Sequence, residues 1–265
     1  MNAPLEVALQ PYVLSDTRDG VATLTLNRGD RFNPLSRDMI AAVQRELDRI
    51  AADASVRMVV VAGAGRGFCA GHDLKELRAH PDLVWQKELF NACSAMMLAL
   101  TRMPQPVIAR VNGIATAAGC QLVSMCDLAI AADTAKFALP GVNVGVFCTT
   151  PAVGVARNVA RKRVMELLLT GEPIDAATAL EWGLVNRVVP AEELDAAIAR
   201  FAQIIRNRSA RVIAEGKKAF YRQVDLGLTS AYDFAGGVMA CNAIDSAAAE
   251  GIDAFVEKRA PKWDG

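Results

Sequence analysis

Three runs in this chain of 265 residues, Met58–Val61, Pro106–Val111 and Leu128–Ala132, are short, largely apolar and rich in β-branched or small side chains. A strand that faces water on one side alternates apolar with polar residues. A run without that alternation is buried on both faces, as in a parallel sheet covered by helices. The stretches between the runs have helical spacing. Ser36 and Asp38 can cap a helix reaching about Ala52, with Ile40, Val43, Leu47 and Ile50 along one side, and Leu83–Met103 predicts a longer one. Strands separated by helices imply right-handed βαβ units and an α/β fold. Tyr12–Leu26 reads as a hairpin turning at Asp19–Gly20, Lys136–Ala138 as an edge piece, and Leu184–Val189 as a last short strand. The expected division is an α/β core over residues 1–190 and a helical region over residues 191–265. The amphipathic helices of that second region must bury their apolar sides on the core or on another subunit.

Lysine plus arginine and aspartate plus glutamate balance at 29 each, with no basic stripe, which argues against nucleic acid as a partner. Zero net charge also favours assembly over a lone monomer. Cys69, Cys93, Cys120, Cys126, Cys148 and Cys241 form no Cys-x-x-Cys pair, and most lie in apolar runs, so reduced core thiols are expected and no metal site. Apolar runs are too short to span a membrane, and Met1–Gln10 lacks the basic start and apolar body of a signal peptide. A cytoplasmic location is the expectation.

Gly63-x-Gly65-x-Gly67 follows a strand, as a dinucleotide loop would. The third glycine of that fingerprint would fall at Phe68, and a further turn intervenes before any helix. A phosphate-binding loop fails too, for no Gly-Lys-Ser/Thr follows. Two other segments carry more chemistry. Arg66–Leu74 and Val111–Leu122 each run from a strand through a turn of small residues, Ala70-Gly71-His72-Asp73 and Ala117-Ala118-Gly119-Cys120, into a helix. Unpaired backbone N–H groups gather at such a helix start and favour an anion, and small residues let a ligand approach the backbone. Two such turns facing one another would form a backbone oxyanion hole, in which loss of one donor typically costs ~10²–10³-fold in rate. Either turn alone is more often an ordinary tight connection; it is their joint occurrence that points to the hole.

Several motifs in order resemble the crotonase (enoyl-CoA hydratase/isomerase) superfamily along nearly the whole chain. They are Leu26-Asn27-Arg28 with Phe32-Asn33-Pro34-Leu35, Phe68–Leu74, Asn112–Asp127, Thr170–Ala176 with Gly183-Leu184-Val185, and the ending Phe255-x-Glu257-Lys258-Arg259-x-Pro261. The resemblance implies a spiral of repeated ββα units with a helical C-terminal region that trimerises, as a homotrimer or a hexamer. It implies an acyl-CoA thioester as substrate and no cofactor beyond the coenzyme A that substrate carries. The thioester carbonyl would sit on the N–H groups of His72 and Ala118. Arg28, Arg31, Ala70 and Lys258 would touch coenzyme A. Asp73, Leu74 and Gly119 belong to the two substrate-holding turns, and Cys148 to the wall of the acyl pocket.

The resemblance fails at two positions. Hydratases of the family place one glutamate after Gly-Cys in the second turn and another after the proline of Phe-x-x-Pro; here they are Gln121 and Gly141. Losing an acid or base group typically costs ~10²–10⁴-fold, so the hydratase mechanism does not transfer. His72 could supply an imidazole or only its N–H, Asp73 a base or only a helix cap, and Cys148 a nucleophile or only a wall. Asp127 fits a structural position. Three readings stand: an enoyl-CoA-directed lyase or isomerase, an acyl-CoA-binding pseudoenzyme, and a thioester hydrolase using His72 or Cys148. The run Phe137–Pro151 with Ala117–Gln121 resembles one particular subgroup of the family.

Overall fold

The computed structural model describes residues 10–263; the reading of Met1–Gln10 falls almost wholly outside them. Two sheets share the strands. The first contains, in spatial order, β1 (Val13–Arg18), β2 (Val21–Leu26), β3 (Met58–Gly63), β5 (Val107–Val111), β7 (Leu128–Ala132) and β10 (Arg187–Val189). The second contains β4 (Gly67–Cys69), β6 (Ile114–Thr116), β8 (Lys136–Ala138) and β9 (Ile174–Asp175). The β1–β2 hairpin is antiparallel, and β2 through β10 pair in parallel. Each of β3, β5 and β7 is followed within a few residues by β4, β6 or β8, and those second strands pair in parallel with one another. These are the repeated ββα turns of the expected spiral. Lys136–Ala138 is not an edge piece of the main sheet: β8 lies inside the second sheet, between β6 and β9. The expected final strand shortens to β10.

Among the described residues there are eleven α-helices: α1 (Arg37–Ala51), α2 (Leu74–Ala79), α3 (Leu83–Arg102), α4 (Ala118–Met125), α5 (Thr149–Val155), α6 (Arg161–Thr170), α7 (Ala176–Glu181), α8 (Leu194–Arg206), α9 (Ala210–Gln223), α10 (Leu228–Ala243) and α11 (Ser246–Val256). Ser36 accepts from Met39 N–H at 3.2 Å, which fixes the start of α1 where its hydroxyl predicts it. The pleat of the main sheet sends Val59, Val61, Val107 and Ala109 into a large core with α1 and α3. Met58, Val60, Ile108 and Ile130 point to the other face, against Leu194, Ile198 and Ala202 of α8. Covering both faces explains the missing alternation in these strands, since each fully buried Val or Ile contributes roughly 1.5–3 kcal/mol.

The helical tail is fastened by a buried ion pair. Lys217 of α9 donates to Asp127 at 2.6 Å and to the carbonyls of Leu100 and Gln105 at 2.7 and 2.9 Å. Asp127 also accepts from Val107 N–H and Tyr221 OH. Burial pulls the Lys217 ammonium below its usual range, and Asp127 draws it back up. The structural reading of Asp127 therefore stands. Beyond this clamp the tail exposes much apolar surface, including Leu228, Tyr232, Ile244 and Phe255. Replacing Lys217 by Met should leave the Asp127 carboxylate buried without its counter-charge and cost about 3–5 kcal/mol in urea-unfolding stability. A loss under about 1 kcal/mol would contradict the clamp.

Candidate functional site

The site begins with a loop that sequence motifs mark but whose mechanics they hide. Asn33 is fully buried with φ +52°, and its amide donates to the carbonyls of Ala64, Gly67 and Phe68 at 2.9–3.1 Å, while its oxygen accepts from Arg28 N–H. One side chain thus ties the loop after β2 to the start of β4. The loop continues as a single bridge: Leu35 N–H donates to Gly71 O at 2.8 Å, and Asp73 N–H to Leu35 O at 3.4 Å. In extended chain, successive N–H groups point to opposite sides. With Gly71 O and Asp73 N–H facing Leu35, the N–H of His72 turns away from it, and it has no acceptor among the described residues.

The second turn meets the first at Gly71. That residue has φ +88°, and a Cβ on it would stand 2.9 Å from Ala117 Cβ and 3.1 Å from Ala118 N. Thr116 Oγ1 donates to Ala70 O at 3.1 Å, and Ala117 N–H to Ala138 O at 2.9 Å. A Cβ on Gly119 would collide with Cys69 O, so only glycine lets α4 start so close to β4. Helix α4 begins at Ala118 with no side-chain cap, and its first turn bond runs from Gln121 N–H to Ala117 O. The Ala118 N–H is left without an acceptor among the described residues. Ala118 itself is helical. The strain falls one residue earlier, on Ala117 at φ +49° and ψ −118°, a conformation costing an alanine roughly 1–3 kcal/mol. A run of alanines gives no sign of this in sequence.

The remaining residues divide. Asp73 caps α2, accepting from Lys75 and Glu76 N–H, and exposed Leu74 opens that helix. The His72 imidazole packs edge-on against Phe90 at 5.0 Å, its buried Nε2 without a partner among the described residues. Burial pulls its pKa down to about 4, so the ring is neutral near pH 7. Gln121 is buried, and its Oε1 has no partner among the described residues. Gly141 is more than a missing glutamate: a Cβ there would collide with Val146 O and stand 2.8 Å from Cys148 Sγ. The single turn Pro140–Val144 and the loop after it have closed over that position. Burial pushes the Cys148 thiol up, and Cys120 up to about 12.

Among the residues that the family resemblance assigns to coenzyme A, Arg28 stacks over Tyr12 at 4.0 Å and donates to the carbonyls of Gln10, Pro11 and Asn27. Arg31 and Ala70 are exposed beside it in the loop and at the turn. Lys258, at φ +56° past the end of α11, forms no ion pair or side-chain hydrogen bond with any of them. Within one chain the structure joins the Ala70–Asp73 and Ala117–Cys120 turns and the Arg28 loop, and among the described residues no bond links Lys258 to them.

A family model described as Enoyl-CoA hydratase/isomerase matches residues 16–265, and the chain belongs to that family. Among its relatives is the mitochondrial enoyl-CoA hydratase domain-containing protein 3 of Xenopus laevis, 42% identical over 263 residues, covering 99% of this chain and 90% of that protein. The crystal structure of human enoyl coenzyme A hydratase domain-containing protein 3 superposes with a TM-score of 0.92 at 41% identity, over 96% of this chain and 100% of that one. A Mycobacterium smegmatis enoyl-CoA hydratase gives 0.94 at 52% identity, over 96% and 99%. The subgroup resemblance of Phe137–Pro151 is thereby given its name. The cytoplasmic expectation is overturned, for the Xenopus, rat, mouse and human relatives are mitochondrial proteins by name. Buried thiols and balanced charge describe a folded body and do not distinguish one reducing compartment from another.

The depressed pKa of His72 has a stability consequence. Below 6.5 the unfolded chain takes up a proton that the native imidazole refuses until about pH 4. Stability should therefore fall as pH drops through that window, by on the order of 3 kcal/mol, and be untouched by this group above it. Urea midpoints at pH 7, 6, 5 and 4 should fall less steeply in His72→Asn; parallel curves would contradict the assignment.

Proposed function

We propose that this chain binds an acyl-CoA thioester and polarises its carbonyl on the N–H groups of His72 and Ala118. The observation that carries this reading is the contact of Gly71 with Ala117 and Ala118, which sets two acceptor-free N–H groups on abutting turns. Coenzyme A would lie along Arg28, Arg31 and Ala70. Arg28 exchanges its present bonds to backbone carbonyls for the nucleotide's phosphates, and Cys148 borders the acyl chain. Lys258 would reach coenzyme A through assembly. The exposed apolar faces of α10 and α11 support a homotrimer or a dimer of trimers, in which those faces are covered by other copies.

The reaction class that fits is proton transfer next to the carbonyl, in a lyase or isomerase of this family, rather than efficient hydration. Water addition requires a group that accepts water's proton as it attacks, and the Gln121 amide cannot do so near neutral pH. No side chain fits at 141 to supply the second carboxylate. These two positions also favour a second reading, an acyl-CoA-binding protein without turnover. A hydrolase reading that relies on His72 loses support, because burial leaves that imidazole too weak a base to activate water near neutral pH.

Titration with butyryl-CoA and crotonyl-CoA should raise the melting temperature in proportion to log concentration. Crotonyl-CoA hydration, followed by loss of the conjugated thioester absorbance, should be slower than that of a glutamate-bearing family hydratase by ~10²-fold or more. An absence of any shift at millimolar thioester would remove the binding reading. Hydration at the ordinary hydratase rate would remove the claim about Gln121 and Gly141.

A further inference from the structure

The space that a side chain on residue 141 would fill is occupied: the Cys148 sulfur lies 2.8 Å from where a Gly141 Cβ would be. Cys148 precedes α5, which packs on α4, and the buried thiol of Cys120 on α4 is its neighbour. The chain reaches Gly141 three residues after Ala138, whose carbonyl holds the Ala117 N–H. The thiol therefore stands beside the turn that starts with Ala118. On the same turn Gln121 is 5% exposed, and its buried amide oxygen has no donor among the described residues. A buried acceptor left unpaired costs roughly 1–3 kcal/mol, which a bound polar ligand would offset.

We propose that the Cys148 thiol is the proton-transfer group for the α-carbon of the bound acyl thioester, standing where family hydratases present their second glutamate. The proposal rests on the thioester reading above. In the step, the Cys148 thiolate takes one α-hydrogen as a proton and becomes S–H. The C–H electron pair forms the Cα–C double bond, and the carbonyl pair moves onto oxygen, where the His72 and Ala118 N–H groups hold it. Return of a proton from sulfur to the α-carbon restores the thioester. Return to the γ-carbon of a β,γ-unsaturated chain moves the double bond into conjugation. No oxidant, water or second substrate enters the balance. Gln121 cannot deprotonate water, so the proton shuttle operates without hydration.

The thiol also sets a pH signature. Because burial raises Cys148 above the ordinary thiol value of 9.0, its thiolate population keeps growing as pH rises through that value. A carboxylate base would reach its plateau below neutrality.

The test uses the full chain and butyryl-CoA in D2O, with loss of the α-CH2 proton signal followed by NMR and affinity measured alongside by calorimetry. Wild-type protein is expected to exchange the α-hydrogens at a rate still climbing between pH 7 and 9.5, and Cys148→Ser to lose at least ~10²-fold of it. In a Cys241→Ser background, disulfide capping of Cys148 by methyl methanethiosulfonate should abolish exchange and dithiothreitol should restore it, which separates the thiol's chemistry from a folding defect. Exchange by Cys148→Ser at the wild-type rate would overturn the proposal, as would a plateau below pH 7, or butyryl-CoA binding by wild type without exchange. Failure to bind butyryl-CoA at all would instead sink the thioester reading on which the proposal depends.

Discussion

Gly71 sits where two strand-to-helix turns press against each other, closely enough that a single methyl group would contact Ala117 Cβ and Ala118 N at once. Most of the site follows from that approach. Leu35 holds the first turn from behind, so the His72 N–H faces away from it. Asn33 holds the loop that carries Leu35. On the other side, Gly119 lets α4 begin against Cys69, and Ala117 takes a strained conformation to make the corner. Strain of this kind persists only where neighbours over-determine the backbone. Here the Ala117 N–H bond to Ala138 and the Thr116 bond to Ala70 do so.

Around this rigid pair the side chains are arranged for polarity without charge. His72 is a neutral imidazole, Gln121 a neutral amide and Cys148 a protonated thiol near pH 7, each kept so by burial or by chemistry. In a site of low effective dielectric, backbone dipoles aimed at a developing oxyanion act strongly because little competes with them. On the proposed reading the same neutrality also removes the means of activating water. On that reading a scaffold for carbonyl polarisation is retained while Gln121 and Gly141 stand in place of two glutamates, and at 141 the main chain has closed over the space a side chain would need.

Much of the core was legible in the chain itself. The strands β3, β5 and β7 declare themselves by lacking alternation, α1 by Ser36 and its apolar stripe, and the hairpin by Asp19–Gly20. The second sheet is not legible as a sheet, because β4 and β6 are each three residues long and carry no period, and β8 reads only as an edge piece; they become one sheet only by pairing with one another. The two abutting turns declare themselves by their glycines and small residues, yet the strain falls on Ala117, and only the backbone angles single it out. The crowding over Gly141 comes from Val146 and Cys148, five and seven residues downstream, through a loop closure that local spacing does not encode. Asn33 was visible as part of a motif, but its role as a three-carbonyl staple depends on a positive φ and on partners some thirty residues away.

The claim on which the rest stands is that two backbone N–H groups pull on the thioester carbonyl. Infrared difference spectroscopy of butyryl-CoA carrying 13C at the thioester carbon, free and bound to the protein, measures that pull directly. Two donors on one oxygen weaken the C=O bond, so the isotope-marked stretch should move to clearly lower frequency on binding and narrow as the carbonyl is fixed in one environment. A bound thioester whose carbonyl stretch stays at its aqueous frequency, or moves upward as in a dry apolar pocket, would contradict the account.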